Sequence, residues 1–445
     1  VASPAVSLGD VSLPSIFSNH MVLQQKRSVK VWGWADPGEK VTVSLASAKG
    51  EAVAGEDKKW RVELDCPEAG GPYTLTVEGK NKVEFTDVLV GEVWVASGQS
   101  NMQWSVAQSN NPEEEIKAAN HPNIRLFTVA MKVSDKPQEN CEASGWMPCT
   151  PDSVKNFTAV GYFFGRKLHQ DLNVPVGIIN TSWGGTLCEA WTSKPMLESD
   201  PDFKAILDRG AEFRPGNPNQ PAVLYNQMIN PLIPFSIRGA IWYQGESNVG
   251  RAEQYAKLFP AMIQDWRNRW EQGDFPFLFV QLAPFEYDRN NPKSELCELW
   301  EAQVKTLKNV ANTGMAVTTD IGDVNDIHPR NKQEVGRRLA LWALAGTYGK
   351  TDVDCCGPLF SHAINEGKKL RVYFHGGEGL NVKDEKTLTL FQVAGADGKF
   401  ARAKAVIEGD TVVLESDEVA RPTMVRFAWD EADEPALYDG SGLPA

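Results

Sequence analysis

The sequence predicts an α/β protein in which a parallel sheet, covered by helices on both faces, is flanked by two β domains. Three observations predict this fold class: apolar residues recur with period two up to about residue 88, strand-like runs alternate with helical patterns over residues 89–350, and period two returns from residue 351. Alternating helices and nearly continuous apolar strands are typical of a parallel sheet buried on both faces. We therefore expect domains at 1–88, 89–350 and 351–445.

The two flanking zones are predicted to be β-rich because short alternating strands are separated by turn residues. In the first zone, which predicts a small β-sandwich, the breaks are Asp36-Pro37-Gly38, Lys49-Gly50 and Gly70-Gly71-Pro72. Its strands are predicted at Val29–Ala35, Lys40–Ala46, Lys59–Asp65, Tyr73–Gly79 and Val83–Val90. In the last zone, with a hairpin turn over Glu408-Gly409-Asp410-Thr411, strands are predicted at Lys369–His375, Thr387–Val393, Ala403–Ile407, Val412–Glu415 and Met424–Trp429.

The middle zone is expected to place functional loops at one edge of its sheet, since open parallel sheets have their sites at the carboxyl ends of the strands. Its strands are predicted at Glu92–Ala96, Arg125–Val129, Val176–Asn180, Gly239–Tyr243, Phe277–Leu282 and Met315–Thr319. Apolar residues at helical spacing predict helices at Val160–Leu172, Glu253–Trp270, Glu295–Ala311 and Lys332–Tyr348.

Length, charge and hydropathy exclude several classes of protein. At 445 residues the chain is long enough for two or three domains. Its formal net charge of −13 argues against nucleic acid as a partner, because phosphate binding needs clustered Lys and Arg. No apolar run approaches the roughly 20 residues that span a bilayer, so membrane insertion is not expected.

The start of the chain and its cysteines favour a secreted or periplasmic protein. The first residues, Val1–Ala5, resemble what remains after signal-peptide removal, although an artificially chosen start would look the same. Among seven cysteines, Cys141 and Cys149 could close a disulfide, and Cys355 and Cys356 are adjacent. No Cys-x-x-Cys pair occurs, which disfavours zinc or thioredoxin-like chemistry.

The strongest local signal is the run VWVASGQSNM at 93–102, in which an apolar strand leads into a turn and places Ser100 at the strand end. Gly98 permits the tight turn, and backbone N–H groups nearby are suited to stabilise an oxyanion. Ser100 is therefore a candidate nucleophile. On this pattern alone, a serine that caps a turn or helix is the commoner alternative.

A candidate base lies after the predicted strand Met315–Thr319, where the loop reads DIGDVNDIHP at 320–329. A serine hydroxyl is nucleophilic near neutral pH only when a base takes its proton, and histidine is the usual base. Of six histidines, His328 is the one in a strand-end loop with acidic residues close by. A carboxylate on the far ring nitrogen would fix the tautomer of the imidazole.

Two further strand-end loops supply candidate oxyanion donors. NTSWGGT at 180–186 offers the backbone N–H of Gly184 or Gly185, and QGESN at 244–248 offers the amide of Gln244 or Asn248. Aromatic residues crowd the same loops, and the flat faces of Trp104 and Trp183 suit the C–H faces of sugars. Most of the fourteen tryptophans are nevertheless expected in the core.

The four blocks, in the order Ser, Gly, amide and His, resemble the plan of the SGNH hydrolase superfamily. Within it, the chain resembles the sialate O-acetylesterase family and its acetylxylan-esterase relatives. The matching segments are MVLQQ at 21–25, GQSNM at 98–102, TSWGGT at 181–186, WYQGESN at 242–248, DIHP at 326–329 and DGSGLP at 439–444. The resemblance therefore spans nearly the whole chain.

The resemblance implies a flavodoxin-like three-layer middle domain with Ser100 as nucleophile and His328 as general base. It implies an oxyanion hole formed by Ser100, Gly185 and Gln244, with Asn248 as an alternative to Gln244.

The carboxylate that supports the histidine is left open by the resemblance. Many SGNH enzymes have it three residues before the histidine, where this chain has Asn325. Asp326 is the first choice, with Asp323 or a backbone carbonyl as alternatives.

The function implied is removal of acetyl groups from O-acetylated sialic acid through an acetyl-enzyme, with no metal or organic cofactor. Trp104, Trp183 and Asn248 are then expected to bind the substrate. One alternative is a deacetylase of xylan or another polysaccharide. Another is a carbohydrate-binding protein without catalytic activity.

Overall fold

The computed structural model describes residues 10–210, 212–287, 294–383 and 388–445. It confirms the fold class, since the molecule is mixed α/β with a large, mostly parallel sheet and additional β sheets. The chain divides into two compact units. The first comprises residues up to Ser247 together with Lys257–Phe277, and the second comprises Asn248–Ala256 together with Leu278–Ala445. None of the helices in the described ranges combines the length and the apolarity that crossing a membrane requires.

The N-terminal part of the first unit consists of paired strands. They are β1 (Val22–Gln24), β2 (Ser28–Trp34), β3 (Lys40–Leu45), β4 (Ala48–Val53), β5 (Lys59–Asp65), β6 (Gly70–Glu78) and β7 (Lys82–Gly98). β2 pairs with β5, while β4, β3, β6 and β7 follow one another in a second antiparallel sheet. Buried residues alternate along β2, β3 and β5, because one face of each strand packs into the core.

The predicted break at Gly70-Gly71-Pro72 is wrong, because these residues begin β6. The predicted break at Lys49-Gly50 is wrong as well. Both residues lie inside β4, and the turn comes earlier, where Ala46 adopts a φ of 52°. Gly50 fits a strand because β5 passes very close to it: a Cβ at this position would lie 2.4 Å from Cγ1 of Val62. Glycine here allows two strands to approach each other, rather than allowing the chain to turn.

The rest of the first unit contains parallel strands and short helices. The new strands are β8 (His121–Thr128), β9 (Met147–Cys149), β10 (Val176–Ser182) and β11 (Gly239–Tyr243). The helices are α1 (Ser100–Gln103), α2 (Pro112–Ala118), α3 (Pro151–Val154), α4 (Ala159–Leu172), α5 (Lys194–Glu198) and α6 (Lys204–Arg209). β11, β7, β10 and β8 lie parallel in that order, and β9 pairs antiparallel with β8. Every residue of β10 and β11 is buried, as expected inside such a sheet.

β7 is a single strand of 17 residues. Its first part pairs with β6, and its second part, from Glu92, lies between β10 and β11. The strands predicted at Val83–Val90 and Glu92–Ala96 are thus one continuous strand, and residue 88 falls inside it. The predicted domain boundaries stay predictions. The carboxyl end of β7 at Gly98 is fixed by hydrogen-bonded neighbours on both sides.

The remaining helices and strands occur in the predicted order, but the strand predicted at Met315–Thr319 lies earlier, at Thr313–Ala316. They are α7 (Ala252–Trp270), β12 (Phe277–Val280), α8 (Glu295–Asn309), β13 (Thr313–Ala316) and α9 (Lys332–Trp342). A short π-helix, Ala343–Thr347, continues α9, so that helical structure covers nearly the whole of the predicted Lys332–Tyr348.

The C-terminal part of the second unit is rich in β structure. Its strands are β14 (Leu359–Glu366), β15 (Lys369–His375), β16 (Asn381–Val382), β17 (Phe391–Ala394), β18 (Ala401–Arg402), β19 (Lys404–Glu408), β20 (Thr411–Glu415), β21 (Met424–Phe427) and β22 (Leu437–Tyr438). The order in the main sheet is β14-β15-β20-β19, and β19 and β20 form the predicted hairpin. β14 was not predicted, and β17 begins later than the predicted Thr387, which lies outside the described residues.

The disulfide between Cys141 and Cys149 that their spacing allows is not formed. All seven cysteines are free thiols. Cys149 lies in β9 opposite His121, whereas the Sγ of Cys141 lies 3.8 Å from the Oγ of Ser15. The two thiols are buried in different surroundings, and burial raises the pKa of Cys149 to about 12. The expected export of the protein is not tested by these thiols and stays a prediction.

The two outer segments of the family resemblance stabilise the fold. In MVLQQ, the side-chain amides of Gln24 and Gln25 donate to the buried carboxylate of Glu92 at 3.2 and 2.6 Å, where β7 enters the parallel sheet. In DGSGLP, Oδ1 of Asp439 accepts the backbone N–H groups of Ser441 and Leu443 at 3.0 and 2.8 Å. Both segments therefore have local structural roles.

Candidate active site

Ser100 is the first residue of α1, and one residue, Gln99, separates it from the end of β7. Gly98 ends the strand with a φ of 136°, and a Cβ at Gly98 would lie 2.1 Å from the carbonyl oxygen of Tyr243. Only glycine fits this close approach. Ser100 is half-buried, while the next residues, Asn101 and Met102, are buried. The predicted sequence of strand, glycine turn and serine is confirmed.

Side chains around Ser100 hold the loop that follows β11. The Oε1 of Gln99 accepts the backbone N–H groups of Gly245 and Ser247 at 3.4 and 3.3 Å. Nδ2 of Asn101 donates to Oε1 of Glu246 at 2.6 Å. These contacts were not predicted. They fix the third motif block against the segment that bears the nucleophile.

The glycine loop after β10 lies directly beside Ser100. The backbone N–H of Gly184 donates to Oε1 of Gln103 at 2.8 Å, and a Cβ on Gly184 would lie 3.2 Å from the Cβ of Ser100. Gly185 adopts a φ of 71° and is exposed. Since the N–H of Gly184 is already donated, Gly185 is the better candidate for an oxyanion donor, and that role stays a prediction.

Gln244 is buried and joins the loops after β10 and β11. Its Nε2 donates to the backbone carbonyl of Thr186 at 3.1 Å. The Oγ1 of Thr186 in turn donates to the carbonyl of Trp183 at 2.7 Å and accepts Nε1–H of Trp191 at 3.0 Å. Gln244 therefore holds the glycine loop in place. Its role as an oxyanion donor stays a prediction.

A cavity of about 530 Å³ opens beside α1, within the size range of small-molecule sites. The half-buried ring of Trp104 forms part of its wall, and Nε1 of Trp104 donates to the carbonyl of Gln108 at 2.9 Å. The remaining lining is largely polar and includes Gln103, Ser105, Asn156, Asn180 and Ser182.

The other tryptophans differ in their surroundings. Trp183 is half-buried. Trp191 and Trp242, by contrast, are fully buried and meet edge to face with their ring centres 6.1 Å apart. They belong to the core. Sugar contacts through Trp104 and Trp183 stay predictions.

His328 lies in the loop after β13, in the second unit, and is half-buried. Oδ1 of Asp326 accepts the backbone N–H of His328 at 2.9 Å and lies 3.8 Å from its Nδ1. The base of the loop is fixed by a buried pair, in which Arg338 donates to both carboxylate oxygens of Asp320 at 2.6 and 2.7 Å. Asp326 is thus near the imidazole, but beyond hydrogen-bonding distance of Nδ1.

The surroundings of His328 favour a neutral imidazole. Burial lowers its pKa, the positive charge of Lys332 lowers it further, and the negative charge of Asp326 opposes both effects. Asp323 instead accepts the backbone N–H of Asn325 at 2.9 Å, which shapes the loop.

The predicted site residues are divided between the two units. Ser100, Gly185, Gln244 and both candidate tryptophans belong to the first, while Asn248, Asp326 and His328 belong to the second. Asn248 is buried, and its backbone carbonyl accepts the N–H of Arg251 at 3.0 Å. The hydrogen bonds described above join Ser100's neighbours to the glycine and amide loops. The partnership of Ser100 with His328 stays a prediction.

Comparison with known proteins decides the family. A family model described as carbohydrate esterase, sialic acid-specific acetylesterase, matches residues 90–344. The chain belongs to this family. The esterase therefore acts on acetyl esters of carbohydrates, and the resemblance predicted from its sequence is confirmed. The matched range contains every predicted site residue, from Ser100 to His328.

Individual relatives match the esterase over nearly its whole length. The sialate O-acetylesterase of Mus musculus is 30% identical, and the alignment covers 97% of this chain and 92% of the relative. The sialate O-acetylesterase of Pongo abelii is 34% identical, and the alignment covers 97% of this chain and 91% of the relative. The crystal structure of a carbohydrate acetylesterase from Xanthomonas citri is similar with a TM-score of 0.90 and 39% identity, covering 98% of both chains.

Proposed function

We propose that the esterase removes acetyl groups from O-acetylated sialic acid, with Ser100 as nucleophile and His328 as general base. The proposal depends above all on the position of Ser100, which begins a helix at a strand end beside Gly184 and Gly185. Such an arrangement offers a hydroxyl and backbone N–H donors to one carbonyl group. The names of the mammalian relatives support sialic acid as the sugar.

The first half of the proposed reaction acetylates the serine. Nε2 of His328 accepts the hydroxyl proton of Ser100 while the Oγ of Ser100 attacks the acetyl carbonyl carbon. The N–H groups of Ser100 and Gly185 and the amide of Gln244 stabilise the oxyanion. The bond between the carbonyl carbon and the sugar oxygen then breaks, and the imidazolium gives its proton to that oxygen.

The second half of the reaction releases acetate. A water molecule gives a proton to His328 and attacks the acetyl carbonyl, and the same donors stabilise the second oxyanion. The bond to Oγ breaks, and Ser100 recovers its proton from the imidazolium. Because burial and Lys332 lower the pKa of His328, its imidazole is neutral near pH 7 and able to accept a proton at each attack.

Asp326 is proposed to assist His328 through its charge. At 3.8 Å from Nδ1, its carboxylate stabilises the imidazolium that forms in each step. The alternatives, Asp323 or a backbone carbonyl, predict that replacing Asp326 has no effect on catalysis.

The substrate is tested by measuring acetate release from O-acetylated sialic acid, acetylated xylan and a small aryl acetate. The proposal expects the largest kcat/KM on the acetylated sialic acid. A larger kcat/KM on acetylated xylan would contradict sialic acid as the substrate and indicate a polysaccharide deacetylase. Binding of glycans without turnover of any ester, unchanged in Ser100→Ala, would instead indicate a carbohydrate-binding protein.

A further inference from the structure

A few large apolar side chains are exposed in the part of the chain that the structure describes. They are Val53, Met131, Phe213, Phe360, Ile364, Val406 and Met424. An isolated exposed apolar residue is ordinary, so position has to decide whether one has a role. The first unit contains Val53, Met131 and Phe213. Met131 and Phe213 lie in segments that are bonded to the loop containing Gly184 and Gly185 or to its neighbour Gln103.

Phe213 is 40% exposed, yet the backbone on both of its sides is held in place. Oε1 of Gln220, a buried residue, accepts the N–H of Arg214, and its Nε2 donates to the carbonyl of Glu212. One side-chain amide therefore binds the chain immediately before and after Phe213. The partly exposed ring is thus attached to a backbone that is hydrogen-bonded on both sides.

The residue next to Gln220 joins this segment to the glycine loop. Nδ2 of Asn219 donates to the carbonyl of Gly185 at 3.0 Å, and its Oδ1 accepts the N–H of Leu187 at 2.9 Å. The side chain of Asn219 therefore bonds to both ends of the segment 185–187. The segment 212–220, which we term the Phe213 loop, is thus attached to the residue predicted to donate to the oxyanion.

Met131 is connected to the same glycines through another residue. Nε2 of Gln103 contacts Sδ of Met131 at 3.3 Å, while its Oε1 accepts the N–H of Gly184. Met131 also lines the cavity that Trp104 borders. Exposed apolar surface is therefore found in two segments that are hydrogen-bonded, directly or through Gln103, to Gly184 and Gly185.

We propose that Phe213 is a sugar-binding residue, whose ring packs against the C–H face of the glycan that presents its acetyl group to Ser100. The inference rests on the proposed function and extends it to a residue outside the four motif blocks. A ring whose backbone is already hydrogen-bonded on both sides loses little conformational entropy on binding, so its contact with a sugar favours the complex. A small aryl acetate, which lacks the glycan, does not need this contact.

The test compares wild type, Phe213→Ala and Phe213→Trp on acetylated sialic acid and on the aryl acetate. Phe213→Ala is expected to raise KM for the glycan about fivefold with kcat little changed, and to leave kcat/KM for the aryl acetate within about twofold. Phe213→Trp is expected to restore KM. Phe360→Ala, which removes an equally exposed ring in the second unit, is the matched control and should behave as wild type.

Two outcomes would overturn the inference. An unchanged KM for the glycan in Phe213→Ala would show that the ring makes no contact. A parallel loss on both substrates would show that the residue only stabilises the loop.

A binding measurement separates this inference from the proposed function. Affinity for sialic acid is measured by calorimetry in Ser100→Ala, with and without Phe213→Ala, because binding requires no turnover. Suppose that binding depends on Phe213 but the wild type releases no acetate from the sugar. This result would overturn the proposed sialate esterase activity and support the contact between Phe213 and the sugar. Phe213-independent binding would overturn the contact alone.

Discussion

Oε1 of Gln103 accepts the backbone N–H of Gly184 at 2.8 Å. This bond joins the last residue of α1, the helix that begins with Ser100, to the loop that contains Gly185. The nucleophile and the candidate oxyanion donor are therefore positioned relative to each other by a side chain outside the proposed reaction. The carbonyl of Gly185 is held in turn by Asn219.

Replacement of Gln103 by alanine should lower kcat/KM about tenfold. The change removes the acceptor of the Gly184 N–H, which is worth about 1 kcal/mol as a hydrogen bond, and loosens the adjacent Gly185. Gln264→Ala, which removes an exposed glutamine whose side-chain amide donates to Asn268 in the same helix, is the control. The measurement is steady-state hydrolysis of an aryl acetate. Equal rates in both variants would show that the bond does not position the donor.

Gly98→Ala should destabilise the protein by more than about 3 kcal/mol, because its Cβ would lie 2.1 Å from a backbone carbonyl and its φ is positive. Gly38→Ala is the matched control. Gly38 also has a positive φ, of 79°, but a Cβ there would meet no atom of the described residues within 4 Å, so about 1 kcal/mol is expected. Urea unfolding measures both. Similar losses in the two variants would mean that Tyr243 does not constrain the turn.

The acid limb of kcat/KM should lie below about pH 6.5, since burial and Lys332 lower the pKa of His328 and activity is lost as the imidazole becomes protonated. Two variants should move this limb in opposite directions. Lys332→Gln removes a positive charge, raises the pKa and shifts the limb to higher pH. Asp326→Asn removes a negative charge, lowers the pKa and shifts it to lower pH. Thermal unfolding of each variant confirms that it is folded, and shifts in the same direction would contradict the account.

Asp326→Asn should also lower kcat at the pH optimum by about tenfold, because the imidazolium loses a nearby countercharge without losing a direct hydrogen bond to Nδ1. Asp323→Asn is the comparison. Its carboxylate accepts a backbone N–H of Asn325, and it should leave kcat within about twofold. A larger loss in Asp323→Asn than in Asp326→Asn would reverse the assignment.

Much of the fold could be predicted from hydrophobic periodicity, because long amphipathic helices and buried strands have strong patterns. β5, β11 and β15 begin and end at the predicted residues, and α4 and α7 begin one residue early. The strands that escaped prediction are β4 and β14, together with the short strands β1, β9, β16, β18 and β22. Gly50 shows why: a glycine that admits a neighbouring strand cannot be distinguished from a turn glycine without knowledge of Val62.

The motif blocks could be found from the sequence, but the side chains that join them could not. The side chains of Gln99, Gln103 and Asn219 bond to residues between 28 and 148 positions away, and no local pattern encodes such contacts. One signal was present in the sequence. Gln99 and Asn101 are polar residues at the end of a buried apolar strand, and buried polar groups need partners. That signal predicts bonding, although not the identity of the partner.

The central claim is that Ser100 carries the acetyl group during catalysis. The most direct measurement is peptide mass spectrometry of enzyme quenched during turnover of an aryl acetate at low pH, where hydrolysis of the intermediate is slowed. The account predicts one acetyl group on the peptide that contains Ser100, and no acetylation or turnover in a folded Ser100→Ala variant. Undiminished acetate release by Ser100→Ala would contradict it.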